Sequence, residues 1–267
     1  MIRRALAPAL ATLATAAAVT AQAERQPATP PATRPTPQSP LEVAARTKLA
    51  ALAEARAQTD TMRCDYIQER SSALTIEPLR SAGTLRFRRD PACVVFAVTT
   101  PRPATIRLDR TSYQVFEPAA HRCERFEFAT TAAGRAPLAD ALFDALAVRI
   151  DALLDAFEVV AIDAVPAAPG VDAYDVIRLR PRHPAADPAT HEASATPWLR
   201  TLELQVVPSD STLRAVAYTD GQGDAVTLTF SQVEFDPEDL ATDAFDAAVP
   251  EGTRVVTRRA ERPRHDR

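Results

Sequence analysis

Lysine is almost missing from this chain: Lys48 is the only one among its 31 basic residues. Against 35 acidic residues the formal net charge is −4, so no broad basic surface for nucleic acid is implied and no nucleic-acid partner is expected. The arginines come with an excess of alanine and proline, a composition bias that makes any single arginine weak evidence of function. Glycine is scarce too. The six, Gly83, Gly134, Gly170, Gly221, Gly223 and Gly252, stand singly or in turns, which excludes a phosphate loop and a dinucleotide fingerprint. There is no H-E-x-x-H and no G-x-S-x-G. Of the four histidines, His183 and His191 fall in a loop and His265 in the tail. Only His121 is placed to be a held general base, and it heads a strand after Pro118-Ala119-Ala120, where a solvated turn residue is the usual outcome. Two loop histidines fall short of the three or four ligands a metal needs. Cys64, Cys93 and Cys123 are odd in number and form no C-x-x-C. One disulfide with a free partner and burial of all three as small apolar residues both stay open. No catalytic residue, metal or cofactor is expected.

What is present begins with an export signal. Arg3 and Arg4 precede a small-residue apolar run from Ala5 to Val19, and Ala21-Gln22-Ala23 is an A-x-A cleavage site. Residues 1–23 are therefore expected to be a cleaved signal peptide and the mature chain an exported, periplasmic protein. Nothing later approaches the roughly 20 apolar residues of a membrane span. Residues 24–40 carry six prolines and read as an extended linker.

Leu41 to Gln58 has helical composition, with Leu41, Ala45, Leu49, Leu52 and Ala53 on one stripe and Ser39-Pro40 as its start. A strand over Met62–Arg70 follows. From Gly83 to Phe128 short extended segments succeed one another at Gly83–Arg89, Val94–Thr100, Ala104–Asp109, Ser112–Glu117 and His121–Phe128. Connections too short for a crossover helix make them an antiparallel meander, and such a sheet must cover one of its faces. Pro137 to Leu146 predicts a second helix, with a further turn through Leu153-Leu154. Asp140, Asp144, Asp151 and Asp155 mark its wet face rather than an acid and base pair. Strands return at Phe157–Val165, Ala173–Arg180, Thr201–Val207, Thr212–Thr219 and Asp224–Asp236, for about eleven in all. The loop from Pro181 to Pro197 is too long for a hairpin connection and reads as disordered.

Several motifs fall in the order of a known family. Tyr66-Ile67-Gln68 resembles an aromatic-x-Gln, Gly83-Thr84-Leu85 with Arg89 and Pro91 a Gly-x-Leu strand closing in Arg-Pro, and Ser112 to Pro118 an aromatic strand closing in proline. Phe96 and Pro101 stand where that family has a strand aromatic and a closing proline. Asp220, Gly223 and Asp224 match an Asp-x-x-Gly turn, and Phe245, Pro250, Gly252 and Val255 a closing Phe, Pro-x-Gly and Val. Over 41–256 the chain resembles the outer-membrane lipoprotein carrier proteins (LolA-like). The resemblance implies a mainly β, α+β fold, a half-open antiparallel barrel of about eleven strands with lid helices, leaving 257–267 as a basic disordered tail. It also implies a non-enzymatic, monomeric carrier that takes lipoprotein acyl chains from an inner-membrane exporter to an outer-membrane acceptor. Arg89 would hold the lid through its guanidinium. Because Asp90 splits the Arg-Pro step, Arg88 competes for that role, and a solvated strand arginine is the plain alternative for both.

An incurved apolar face suits such cargo, since each buried CH₂ is worth about 0.8 kcal/mol, or roughly 12 kcal/mol for a chain of about fifteen carbons. The pool for that face is Tyr66 on the first strand, Leu85 and Phe87 on the second, Phe96 and Val98 on the third, then Ile106, Tyr113, Phe116, Phe126 and Phe128. Which of them face inward needs a register. A carrier of another lipid or hydrophobic metabolite, and a sensor domain that binds a partner protein, are the alternatives on the same scaffold.

Overall fold

The computed structural model describes residues 39–72, 76–128, 137–182, 199–220, 223–246 and 248–259. The expected signal peptide, most of the linker, the loop carrying His183 and His191, and the last residues of the tail lie outside them. The first described element, α1 (Pro40–Arg56), starts where Ser39 caps it, the hydroxyl accepting from the Glu42 amide at 3.1 Å with Pro40 in the first turn. Ala45, Leu49 and Leu52 form its buried stripe, whereas Leu41 is exposed.

Twelve strands follow: β1 (Thr61–Ser71), β2 (Leu79–Arg88), β3 (Cys93–Thr100), β4 (Ala104–Asp109), β5 (Ser112–Glu117), β6 (Arg122–Glu127), β7 (Phe157–Val165), β8 (Tyr174–Pro181), β9 (Leu199–Val207), β10 (Thr212–Asp220), β11 (Ala225–Phe235) and β12 (Arg254–Arg259). Between β6 and β7 stand α2 (Pro137–Leu146) and α3 (Ile150–Ala156), separated by Val148 at φ 50°. All strands belong to one sheet in the order β12-β6-β5-β4-β3-β2-β1-β11-β10-β9-β8-β7. Each neighbouring pair is antiparallel except β12 with β6, which is parallel. The fold is mainly β, a half-open barrel with helices across its concave face, as the resemblance implied.

Most strand ends fall within a residue or two of the sequence reading, and two regions differ by more. The second strand begins at Leu79, because it pairs with β1 all the way to Arg70 and so shortens the expected loop. The twelfth strand runs to Arg259, so Thr257 to Arg259 are ordered by pairing with β6 instead of starting a disordered tail.

The register fixes the faces. Residues opposite each other share a face, so Met62, Phe87, Val94, Leu108, Tyr113 and Phe126 form one inner row. Cys64, Leu85, Phe96, Ile106 and Val115 form the next. Gly83, opposite Tyr66, is required by close approach: a Cβ there would stand 2.0 Å from the Ala97 carbonyl oxygen. The convex face is not wholly wet. A second small cluster sits there, Phe245 packing on Cys93 and Val95, and it is tied down by Arg107, whose Nε donates to the Phe245 carbonyl at 3.0 Å. No helix among the described residues is long and apolar enough to cross a membrane.

Candidate functional site

The sheet has two arms, and the helices choose between them. On the arm from β7 to β10, α1 lies against β7 and α3, and α2 against α3, β9 and β10. Leu52, Leu146, Leu153, Ile177, Leu179, Leu202 and Leu204 are all at 1% exposure or less there. Over β4, β5 and β6 the inner face is different. Ile106 and Leu108 are half-buried at the edge of the core, and Tyr113, Val115 and Phe126 are half-buried beyond it. Tyr113 and Phe126 keep each other's company, ring centroids 6.1 Å apart.

That surface is nonetheless curled over. Burial pushes the Tyr218 hydroxyl on β10 up to about 12, with the Arg70 guanidinium pulling the other way. Tyr113 on β5 is raised by burial against the same guanidinium. Both tyrosines, from opposite arms, therefore lie within electrostatic reach of one residue on β1. Arg70 itself is held by Asp224 at 2.5 Å, and Asp224 is kept below the usual carboxylate range by hydrogen bonds from Arg70 and Ser72.

The helix layer is fastened unevenly. Along α1, the sole lysine, Lys48, pairs with buried Asp175 of β8 at 2.7 Å, Arg46 with Asp151 of α3 at 2.6 Å, and Glu42 with Arg182 at 3.2 Å. At its C-terminal end a hydrogen bond comes from the turn after β2, where the Arg89 guanidinium donates to the Arg56 carbonyl. Arg56 is 3% exposed, its guanidinium 4.0 Å from the centroid of the Phe235 ring. Burial draws it down to about 10.

The sequence pool is sorted by this geometry. Tyr66, Leu85, Phe87 and Phe96 are buried in the core on the inner face, with Tyr66 and Phe96 edge to face at 5.2 Å. Val98 and Ile106 border that core, and Tyr113 and Phe126 extend it. Phe116 is a correction: opposite Thr105 and Cys123, it belongs to the convex face. Phe128 follows the end of β6, its amide bonded to the Thr111 carbonyl. Arg88 is a second correction. It too is on the convex side, its Nε donating to the Pro91 carbonyl at 3.2 Å and its guanidinium over Phe245. The alternation in Ser112-Tyr113-Gln114-Val115-Phe116 already puts Val115, not Phe116, with Tyr113.

His121 is exposed at φ 45° after a 3-10 turn, its amide bonded to the Pro118 carbonyl. All three cysteines are free and buried, which decides between the two readings left open. Among the described residues no cluster of ligating side chains could hold a metal ion.

No protein-family profile matches the chain. No curated protein matches it in sequence. Among solved structures it is similar to a LolA superfamily protein from Nitrosomonas europaea, at 12% identity and TM-score 0.35, over 75% of this chain and 96% of that one. It is similar to a DUF1329 family protein from Desulfovibrio piger, at 10% identity and TM-score 0.40, over 76% and 97%. MucB, recorded in complex with MucA from Pseudomonas aeruginosa, overlaps at 12% identity and TM-score 0.38, over 77% of this chain and 61% of that one.

Proposed function

We propose that the protein is an exported periplasmic carrier that takes acyl chains of lipid-modified proteins against the inner face of β4, β5 and β6 and carries them between membranes. The observation that carries this reading is the unequal cover of the sheet: one arm buries its apolar face under helices, the other holds Ile106, Leu108, Tyr113, Val115 and Phe126 half-buried. A curled apolar surface left partly open suits a chain whose transfer from water is worth about 0.8 kcal/mol per CH₂. Release needs a switch, and Arg89 is placed to be one. It bonds the end of α1 to the turn after β2, which shares a cavity with the turn after β4, while the ion pairs of Arg46, Lys48 and Glu42 keep the rest of the helix on the closed arm. The exporter and acceptor that such a carrier serves would engage it with the lid in opposite states.

Native mass spectrometry with lipid extraction, on protein purified from its own periplasm, tests the reading. A bound lipoprotein is expected, lost in Ile106→Asp and retained in Phe116→Thr on the convex face. A free lipid would make it a carrier of another cargo, and an empty protein holding a partner chain would make it a sensor. The latch has its own test. In variants keeping one cysteine each, Arg89→Gln should speed thiol labelling of Cys64, on the inner face, and leave Cys93, under Phe245, unchanged.

A further inference from the structure

The end of the lid holds a pocket of its own. A cavity of about 420 Å³ lies between the turn after β2, the turn after β4 and the break between α2 and α3, lined by Phe87, Pro91, Ala92, Phe143 and Ala147 together with Arg89, Asp90, Arg110 and Arg149. Its apolar wall is firm, Phe87 being 4% and Phe143 1% exposed. Its polar side is a set of guanidinium groups whose needs are unequally met. Arg110 pairs with Asp140 at 2.7 Å and lies over the Phe143 ring, and Arg149 pairs with Asp144 at 3.3 Å. Arg89 differs. Among the described residues it makes no carboxylate pair, its guanidinium hydrogen-bonds only to the Arg56 carbonyl, and its buried Nε has no partner. The nearest buried cation, Arg56, is in the same condition, its Nε and a terminal nitrogen both buried and unpartnered.

Half-buried Arg89, its Nε enclosed and unpartnered, stands next to buried Arg56 and beside a cavity with one apolar wall, which describes a site short of an anion. Leaving a buried donor unmade is costly, more so for a charged group, and a charge-assisted bond to an oxyanion recovers it. We propose that this pocket holds the charged group of an anionic amphiphile, a carboxylate or a phosphate, on Arg89 and Arg110, with the first methylenes against Phe87 and Phe143. The consequence for α1 follows from the hydrogen bonds. An anion on Arg89 competes with the Arg56 carbonyl for the same guanidinium, so occupancy loosens the end of the helix. The site stands whether or not β4 to β6 take an acyl chain, and only its use as a lid control rests on the carrier reading.

The test is calorimetric titration of the full mature chain with decanoate, decyl phosphate, decanol and inorganic phosphate. Decanoate or decyl phosphate should bind one to one, with Arg89→Gln and, separately, the more exposed Arg110→Gln each weakening it about tenfold, the loss of a charge-assisted bond. Decanol should bind at least about tenfold more weakly than decanoate. Equal affinity for decanol and decanoate, or no effect of either arginine variant, overturns the proposal. Inorganic phosphate binding as tightly as decyl phosphate also overturns it and assigns a free-anion site instead. Arg110→Gln keeps the test alive if Arg89→Gln does not fold. Titrating Ile106→Asp separates the two claims, since that residue lines the other surface. Hydrogen exchange at the Glu54 to Ala57 amides should quicken with decanoate bound, and protection that is unchanged there removes the link to the lid.

Discussion

The two arms of the sheet are built from the same kind of strand and end in different states. On β7 to β10 the alternating leucines and isoleucines meet three helices and disappear from solvent, while on β4 to β6 similar residues stop half-way. The difference teaches that the open arm is not a poorer version of the closed one. Its convex side is well tied, with Phe245 seated on Cys93 and Val95 and the Asp109 turn fully hydrogen-bonded. The inner surface there is left half-covered. A strand region fastened behind and half-open in front is suited to receive something.

The sharpest way to break that comparison is to cut equal volumes from the two arms. Leu179→Ala, at 0% exposure under the helices, should cost about 3 kcal/mol within the usual 2–5. Ile106→Ala, half-buried on β4, should cost about 1 kcal/mol, because solvent already reaches it and little cavity is left. Urea unfolding of both variants reads the difference. Equal losses would mean that the open arm is part of the permanent core and has no spare surface to offer.

Next in size is the close approach of β2 and β3 at Gly83. Gly83→Ala sets a Cβ against the Ala97 carbonyl, a backbone group that cannot swing aside, so strands β2 and β3 must part. A loss of about 2 kcal/mol is expected, in the range of overpacking. A melting temperature left within a degree of the parent would show that the strands can separate freely there, and the open arm would then be a flexible flap.

How far the sequence foretold this depends on what a pattern can encode. The spans of α1 and α2 and eleven of the strands were legible because their signals are local: Ser39-Pro40 at a helix start, prolines between strands, alternation within them. The faces were not, since a face depends on register and register on bulges, such as the one between Arg63 and Asp65, that no local signal marks. So Phe116 and Arg88 entered the candidate set from the wrong side. Val115 was left out although its alternation with Tyr113 was in plain view. The twelfth strand was missed for another reason. Arg254 to Arg259 is rich in charge and pairs in parallel with a strand more than a hundred residues earlier, so nothing adjacent announces it.

Smaller again is the effect expected at the turn between β4 and β5. Burial alone would raise Asp109, but bonds from the Thr111 hydroxyl and amide, the Arg107 guanidinium and the Ser112 amide outweigh it and hold the carboxyl below its ordinary value. The folded state therefore favours the ionised form. Its contribution is complete above the unfolded value, near 3.9, and is lost as pH falls through the lower folded one. Asp109→Asn should cost about 1–1.5 kcal/mol at neutral pH. In unfolding curves taken from pH 7 downward, the gap between parent and variant should close only in strong acid. A gap that persists at the lowest pH would assign the turn's stability to shape instead of charge.

The least effect is expected where the closed arm wears its charges outward. Arg178 on β8 reaches Asp163 at 2.6 Å and Glu203 at 3.0 Å, across both neighbouring strands, yet its side chain is 45% exposed. Water and salt already screen such a network, so Arg178→Ala should cost no more than about 0.5 kcal/mol, and less at high salt. A loss several times larger would show that the closed arm leans on its outer ion pairs as well as its helices. The two arms would then differ in how the whole sheet is held, and the unfilled inner face of β4 to β6 would no longer be the one feature that separates them.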